Sequence, residues 1–392
     1  MDDLEKLRSK LDTVDRRLLE DLRDRLETVA GIARVKEKGL SFLRDHEREN
    51  EVLNRVEGWA RELGIDSFRT HEIFREIIAM SLKAQEEAML HRERVERSAQ
   101  SAHRVAFQGV EGSYSEIAAR KYFSVRSDSM ELVGCSSFQD ALQMAESGEV
   151  GYAFLPIENT TAGSINQTYD LLRGTNLRIV GEEILHVRHC LLSIVGAKVE
   201  ELQRVLSHPQ ALIQCSRFLA ALDEVELVAF EDTAAAAREV ARVGDPTQAA
   251  LASVEAAEIY GLDVLREAVA DQDENWTRFV VISSLEIELD PRIAAKTSLI
   301  LTTPHREGAL AHCLNLLAEH GVNLSKLESR PVPRRPWEYL FYVDIEGSLD
   351  SEPLALAVAE LRRECPYLRV LGSYPARTTA AGTVDRFSGQ QE

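Results

Sequence analysis

Apolar residues recur at helical spacing from the first turn onward: Leu4, Leu7, Leu11, Val14, Leu18, Leu22, Leu26, Val29 and Ile32, with charged residues filling the gaps. A stripe of that length predicts one helix of about ten turns. A shorter helix is expected over Asp45–Leu63, ended by Gly64, and a third over Ser67–Val95. Three helices of such unequal length cannot enclose a good core alone. The pattern therefore predicts pairing with a second copy, as a homodimer or a higher homo-oligomer.

After a polar linker at 94–103 the texture changes. Arg104–Gln108 reads as a short strand, and Tyr152–Pro156, Leu191–Val195 and Val280–Ser283 as further strands alternating with alanine-rich helices. That alternation predicts an α/β domain. The last section runs strand (Thr297–Thr303), helix (Gly308–Gly321), strand (Asn323–Arg330), strand (Glu338–Glu346), helix (Ser351–Cys365), strand (Leu368–Tyr374). That βαββαβ order is ferredoxin-like. The expected division is a helical domain at 1–93, an α/β domain at 104–285, a ferredoxin-like domain at 296–375 and a disordered tail at 376–392.

Composition narrows the partners. A formal charge of −19 on 392 residues disfavours nucleic acid or an anionic membrane as a partner. No apolar run reaches the roughly 20 residues of a membrane span, and the acidic amphipathic start is no signal peptide. Five widely spaced cysteines suit neither a disulfide framework nor a metal site. A cytoplasmic chain is expected, with no metal and no cofactor; no GxGxxG fingerprint is present.

On the first helix Arg25 and Lys36 are eleven positions apart, so at about 100° per residue they share a face within about 20°. Arg8 points roughly 100° away and suits a pocket in a partner subunit. Asp45, Arg48 and Glu49 are i, i+3, i+4 neighbours, and Ser81 with Gln85 is another i, i+4 pair. Charge pattern alone reads as a salt-bridged helical dimer. In end-to-end spacing, however, these positions resemble the all-helical chorismate mutase family, whose fold is an intertwined dimer. The resemblance implies that Arg25, Arg48 and a partner's Arg8 clamp the substrate carboxylates and that Lys36 and Gln85 donate to the ether oxygen. It implies that Asp45, Glu49 and Ser81 complete the binding site. Such a rearrangement needs no acid, base or nucleophile, only a compact conformer and stabilisation of growing negative charge.

Four segments mark the central domain: Gly109-Val110-Glu111-Gly112-Ser113-Tyr114-Ser115 at a strand-to-helix turn, Leu155-Pro156-Ile157-Glu158-Asn159-Thr160-Thr161-Ala162-Gly163-Ser164 as a polar loop after a strand, Ser207-His208-Pro209-Gln210-Ala211-Leu212-Ile213-Gln214-Cys215, and Asn275-Trp276-Thr277-Arg278-Phe279 before a strand. Singly, each is explained by caps and turns. His208 and Cys215 lack a third group that would make them a catalytic pair, and a helical cysteine is more often core. In this order the segments resemble the prephenate dehydratase family, whose fold is two α/β lobes about a cleft, as in periplasmic binding proteins. The resemblance implies Thr277 as the group that protonates, or hydrogen-bonds, the departing hydroxyl. It implies substrate contacts from Asn159, Thr161, Ser207, Gln214 and Phe279, with Ser113 and Ser115 near a carboxylate and Arg278 neutralising a substrate carboxylate or holding the loop.

The C-terminal section carries Gly308-Ala309-Leu310, then Asn323, then Glu328-Ser329-Arg330-Pro331. A helix opening at Gly308 offers N–H groups to a carboxylate, and Asn323 and Ser329 can meet an ammonium. These motifs resemble the ACT domain linked to dehydratases and imply phenylalanine as its ligand. Glu307, in front of that helix, would set a carboxylate beside the ligand's own. Together the three resemblances imply a bifunctional enzyme taking chorismate through prephenate to phenylpyruvate under phenylalanine control. The alternatives are a dehydratase (of prephenate or arogenate) with a non-catalytic helical domain, and a non-catalytic amino-acid sensor.

Overall fold

The computed structural model describes residues 2–36, 46–92, 103–124, 130–222, 224–285, 289–332 and 339–377, with side chains except at 2–4, 30–36, 46–48, 79 and 82–92. The chain divides into two compact units, Met1–Arg97 with Asp290–Ile293, and Ser98–Leu289 with Ala294–Glu392.

The first unit consists of α1 (Asp2–Lys36), α2 (His46–Glu62) and α3 (Ser67–Arg92). Helix α2 ends as expected at Gly64, whose φ of +70° suits glycine. The Asp66 carboxylate then caps α3 by accepting from Arg69 N at 2.9 Å. Both α1 and α2 pack on α3, burying Val56 and Ala60. Yet Leu7, Leu11, Val14, Leu18 and Leu19 on α1 remain 47–68% exposed, so among the described residues nothing covers the N-terminal half of the stripe.

The second unit begins with an α/β lobe: β1 (Arg104–Gln108), α4 (Tyr114–Phe123), β2 (Glu131–Cys135), α5 (Phe138–Ser147), β3 (Tyr152–Asn159), β4 (Gly163–Ser164), α6 (Asn166–Gly174) and β5 (Arg178–His186). The chain then leaves to build a second lobe from β6 (Cys190–Ser193), β7 (Arg204–Ser207), α7 (Pro209–Gln214), α8 (Ser216–Ala220), β8 (Glu226–Ala229), α9 (Thr233–Val243), β9 (Gln248–Ala252), α10 (Val254–Tyr260) and β10 (Asp263–Arg266). It returns as β11 (Trp276–Ser283), antiparallel between β3 and β5. The first sheet therefore runs β2-β1-β3-β11-β5, with β4 on β3, and the second β10-β6-β9-β7-β8. Nearly unbroken apolar runs such as Ala153-Phe154-Leu155 on β3 and Val280-Val281-Ile282 on β11 are buried on both faces, as central strands require.

The remaining elements are β12 (Ala295–Thr302), α11 (Ala309–Glu319), β13 (Leu324–Pro331), β14 (Tyr339–Glu346), α12 (Glu352–Glu364) and β15 (Tyr367–Pro375), in the antiparallel order β13-β14-β12-β15. Helices α11 and α12 cover one face of this ferredoxin-like sheet. From the other face Ile300, Leu340, Tyr342, Leu371 and Tyr374 share one core with Ala141, Leu142, Tyr169 and Leu172 of the first lobe. All of the expected linker at 94–103 but His103, and the expected tail at 376–392 from position 378 on, lie outside the described residues. Among the described residues no helix is long and apolar enough to cross a membrane.

Candidate functional site

The chain crosses between the two α/β lobes at 187–189 and again at 267–275, and polar side chains converge at those crossings. Asn159, at the end of β3, is the centre of the cluster. Its amide Nδ2 donates to Thr277 Oγ1 at 2.9 Å and to Asn275 Oδ1 at 2.7 Å. Its Oδ1 accepts from Thr161 Oγ1 at 2.7 Å, Thr161 N at 3.1 Å and Ala162 N at 2.8 Å, which fixes the loop after the strand. From the second lobe Gln214 Nε2 donates to Thr161 Oγ1, and Gln214 Oε1 accepts from Asn275 Nδ2 at 3.1 Å. Asn159, Thr161, Gln214 and Thr277 are thus brought together from segments up to 118 positions apart.

Sequence reasoning missed part of this cluster. His189 Nε2 lies 3.0 Å from Gln214 Oε1 and its Nδ1 3.1 Å from the Tyr114 hydroxyl. Tyr114 donates to Arg188 O at 2.6 Å. Burial lowers the His189 pKa, which favours the neutral ring. Burial likewise pushes the Tyr114 phenol well above its ordinary value. The cluster consists of hydroxyls, amides and one imidazole, groups that share hydrogen bonds with one another.

Several expected substrate contacts prove structural. Arg278 does not face the cleft. One position beyond Thr277 it points to the opposite side of β11, buried, with Nε on Glu182 at 2.7 Å, Nη1 on Asp344 at 2.6 Å and Nη2 on Tyr374 Oη at 3.0 Å. Phe279 is core, stacked on Phe154 at 5.2 Å between centroids. Ser207 is wholly buried and donates to Leu251 O at 2.7 Å, tying β7 to β9. Ser113 caps α4 by accepting from Glu116 N, while the Glu116 carboxylate accepts from Gly112 N at 2.6 Å; the motif is a capping box with one register shift. Ser115 is buried in the first turn of α4. Burial raises the Cys215 thiol to about 12, and His208 Nδ1 accepts from Gln210 N at 3.2 Å, so the two form no catalytic pair.

In the helical unit Arg25 Nη1 donates to Ser81 Oγ and, at 3.4 Å, to Ile77 O, across 52–56 positions of sequence. Partial burial lowers the guanidinium's pKa. Glu49 is half-buried on α2, and Arg8 is exposed on α1. Asp45 and the side chains of Lys36, Arg48 and Gln85 lie outside the described residues.

In the ferredoxin-like domain Gly308 stands at φ +72° as the cap of α11, with Ala309 buried behind it and Leu310 half-buried. Asn323 is exposed where β13 begins. Alternation along β13 divides its motif. Glu328 and Arg330 turn toward the first lobe, where Glu328 Oε2 accepts from Ser164 Oγ at 2.7 Å and Arg330 Nη2 meets Asp170 at 3.0 Å. The expectation that these two touch a ligand is therefore replaced by domain docking. Ser329 and Pro331 remain on the exposed side of this edge strand.

Two α/β lobes joined at a cluster of hydroxyl and amide groups, with a ferredoxin-like domain packed on the first lobe, define a binding-protein-like α/β fold. The prephenate dehydratase family model matches residues 105–286, and the chorismate mutase type II model matches residues 7–86. A bifunctional chorismate mutase/prephenate dehydratase of Enterobacter agglomerans is 40% identical over 94% of this chain and 95% of its own length. Among solved structures, prephenate dehydratase from Arthrobacter aurescens in complex with L-Phe is 29% identical with TM-score 0.62, over 72% of this chain and 96% of that one. A chain described as GqqA, a novel type of quorum-quenching acylase, is 34% identical with TM-score 0.63, over 70% of this chain and 98% of that one. The chain belongs to the bifunctional chorismate mutase/prephenate dehydratase family.

Proposed function

We infer that the helical unit rearranges chorismate to prephenate and that the hinged domain converts prephenate to phenylpyruvate. Membership of the family carries the pair of activities. For the second, the supporting observation is the Thr277 hydroxyl, held by an amide donor at the mouth of the hinge. The Asn159 N–H occupies an oxygen lone pair of Thr277, which leaves the Thr277 O–H free to donate. It also favours any negative charge growing on that oxygen. In prephenate the carboxylate on the ring leaves as carbon dioxide, its C–C bonding electrons close the aromatic ring, and the ring hydroxyl departs. Donation from Thr277 lets it leave as water. Aromaticity drives the elimination, so a weak acid in the right place is sufficient. Asn159, Thr161 and Gln214 orient the substrate, with the first-turn N–H groups of α4 receiving a carboxylate.

For the mutase, Arg25 and Arg48, with Arg8 from a second copy, bind the two carboxylates; Lys36 and Gln85 meet the ether oxygen, and Asp45, Glu49 and Ser81 complete the pocket. The exposed apolar stripe of α1 supports a homodimer. The C-terminal domain is an ACT domain that binds phenylalanine about Gly308–Leu310, Asn323 and Ser329. The support is the helix opening at Gly308 and the phenylalanine complex of the Arthrobacter protein.

One assay tests the reading. Purified chain receives chorismate alone, phenylpyruvate is followed by its absorbance in alkali, and the run is repeated with phenylalanine. Product that falls on adding phenylalanine is expected. Product from prephenate but not from chorismate would leave the helical unit as a scaffold, and no product from either would refute the reading.

A further inference from the structure

The antiparallel pairing of β3 with β11 sets Thr277 opposite Asn159 and Arg278 opposite Glu158. Strand alternation sends the two pairs to opposite faces. The first pair faces the cleft. The second is claimed by the ferredoxin-like domain: Lys326 Nζ of β13 meets Glu158 Oε2 at 2.8 Å, and Arg278 meets Asp344 of β14 at 2.6 Å and Tyr374 of β15 at 3.0 Å. Ser298 of β12 donates to Asp344 and lies 2.7 Å from Tyr374 Oη. Lys296 of β12 meets Glu182 at 3.0 Å, the same carboxylate that holds Arg278. Every strand of the ferredoxin-like sheet thus touches the back of the catalytic strand pair or the residues that hold it.

The β3–β11 ladder is irregular between Arg278 and Phe279, and the β13–β14 ladder between Leu324 and Lys326. Such irregularities disrupt the ladder locally, bend the strand and re-aim its side chains. Domain docking alone accounts for a buried ion cluster, but a cluster serving only to dock has no need to end on the residue beside the reacting hydroxyl.

We propose that Arg278 is a positioning residue: with Glu158 it sets the Thr277–Asn159 pair according to the state of the ferredoxin-like domain. It is the link by which an amino acid bound there alters the dehydratase. This rests on the phenylalanine reading given above.

The test uses the full-length chain and an Asp344→Asn variant, which keeps the shape at that position and removes one charge facing Arg278. Tyr374→Phe serves as a second variant if Asp344→Asn does not fold. Phenylalanine binding is measured by calorimetry, and dehydratase turnover is measured without phenylalanine and at saturation. The variant is expected to bind phenylalanine within about threefold of wild type while the ratio of its uninhibited to its inhibited rate at saturation falls at least about fivefold, a change the size of ordinary site-to-site coupling. Loss of a merely structural contact would lower stability and leave the ratio of inhibited to uninhibited rate unchanged. A variant that binds phenylalanine and is inhibited as deeply as wild type overturns the proposal alone. A wild-type chain that binds no phenylalanine overturns the ligand reading and the proposal together.

Discussion

Among the described residues, the hydrogen-bond partner of Thr277 is the Asn159 amide, and neither group titrates in the ordinary pH range. Replacing Thr277 by alanine should lower kcat for prephenate roughly 10²–10³-fold with KM changed only a few-fold, since donation acts on the departing hydroxyl rather than on binding. Thr277→Ser should keep most of the activity. An alanine variant with near-normal kcat would remove Thr277 from the mechanism. The neutral cluster also predicts the pH profile. Burial holds His189 below its ordinary value of 6.5, so it is already neutral above that pH. Dehydratase kcat should therefore stay flat from about pH 6.5 through the mildly alkaline range; a steep rise or fall there would point to an acid or base outside this cluster. His189 left no mark in the sequence because it stands, in no motif of its own, just ahead of the strand read at Leu191–Val195. Its partners Tyr114 and Gln214 are 75 and 25 positions away.

At the scale of elements, periodicity and turn chemistry were readable wherever one element carried its own signal. The apolar stripe of α1 gave its length, and the βαββαβ order gave the last domain. The return of β11 was not readable, because a strand's neighbours depend on register with segments far away: β11 inserts between β3 and β5 only after a whole lobe has been built. The misplacement of Arg278 in the cleft has the same origin. Thr277 and Arg278 are neighbours in a motif, and only the pleat separates their faces. The packing of β15 on β5 makes a test at this scale. A Cβ on Gly372 would lie 2.0 Å from Ile179 O, a backbone atom with no freedom to rotate away. Gly372→Ala should force the ferredoxin-like sheet off the first lobe and cost at least the roughly 1–3 kcal/mol typical of overpacking. Denaturant unfolding should show it as a lower midpoint, and a midpoint unchanged from wild type would mean that the two layers are less tightly apposed.

For the whole molecule, two compact units divide two chemistries, and perturbations should divide in the same way. Polar replacement of the exposed α1 stripe, Leu11→Glu with Leu18→Glu, removes the surface proposed to pair. It should abolish mutase turnover and reduce the oligomer in sedimentation, with dehydratase turnover from prephenate retained. Equal loss of both activities would show that the units are not separable. The second unit has its own sensitivity, to acid. Burial alone would raise the pKa of Glu182, but Arg278 and Lys296 outweigh it, joined by the Arg377 N–H, and hold the carboxyl at about 2 against an ordinary 4.5. A carboxyl depressed on folding contributes stability that is complete above its unfolded value and disappears as the folded group is protonated. The docking of the ferredoxin-like domain should thus be unaffected by acid down to about pH 4.5 and weaken progressively toward about pH 2. Hydrogen exchange of the β12 and β14 amides, compared over that window, is the measurement. A Glu182→Gln variant leaves Arg278 and Lys296 without their shared anion. It should begin less protected at neutral pH, by an amount on the order of 3–5 kcal/mol, the usual cost of breaking a buried pair. It should also lose most of the acid dependence. If wild type and variant weaken over the same window to the same extent, the acid sensitivity belongs to other carboxylates and the buried cluster does not hold the domains together.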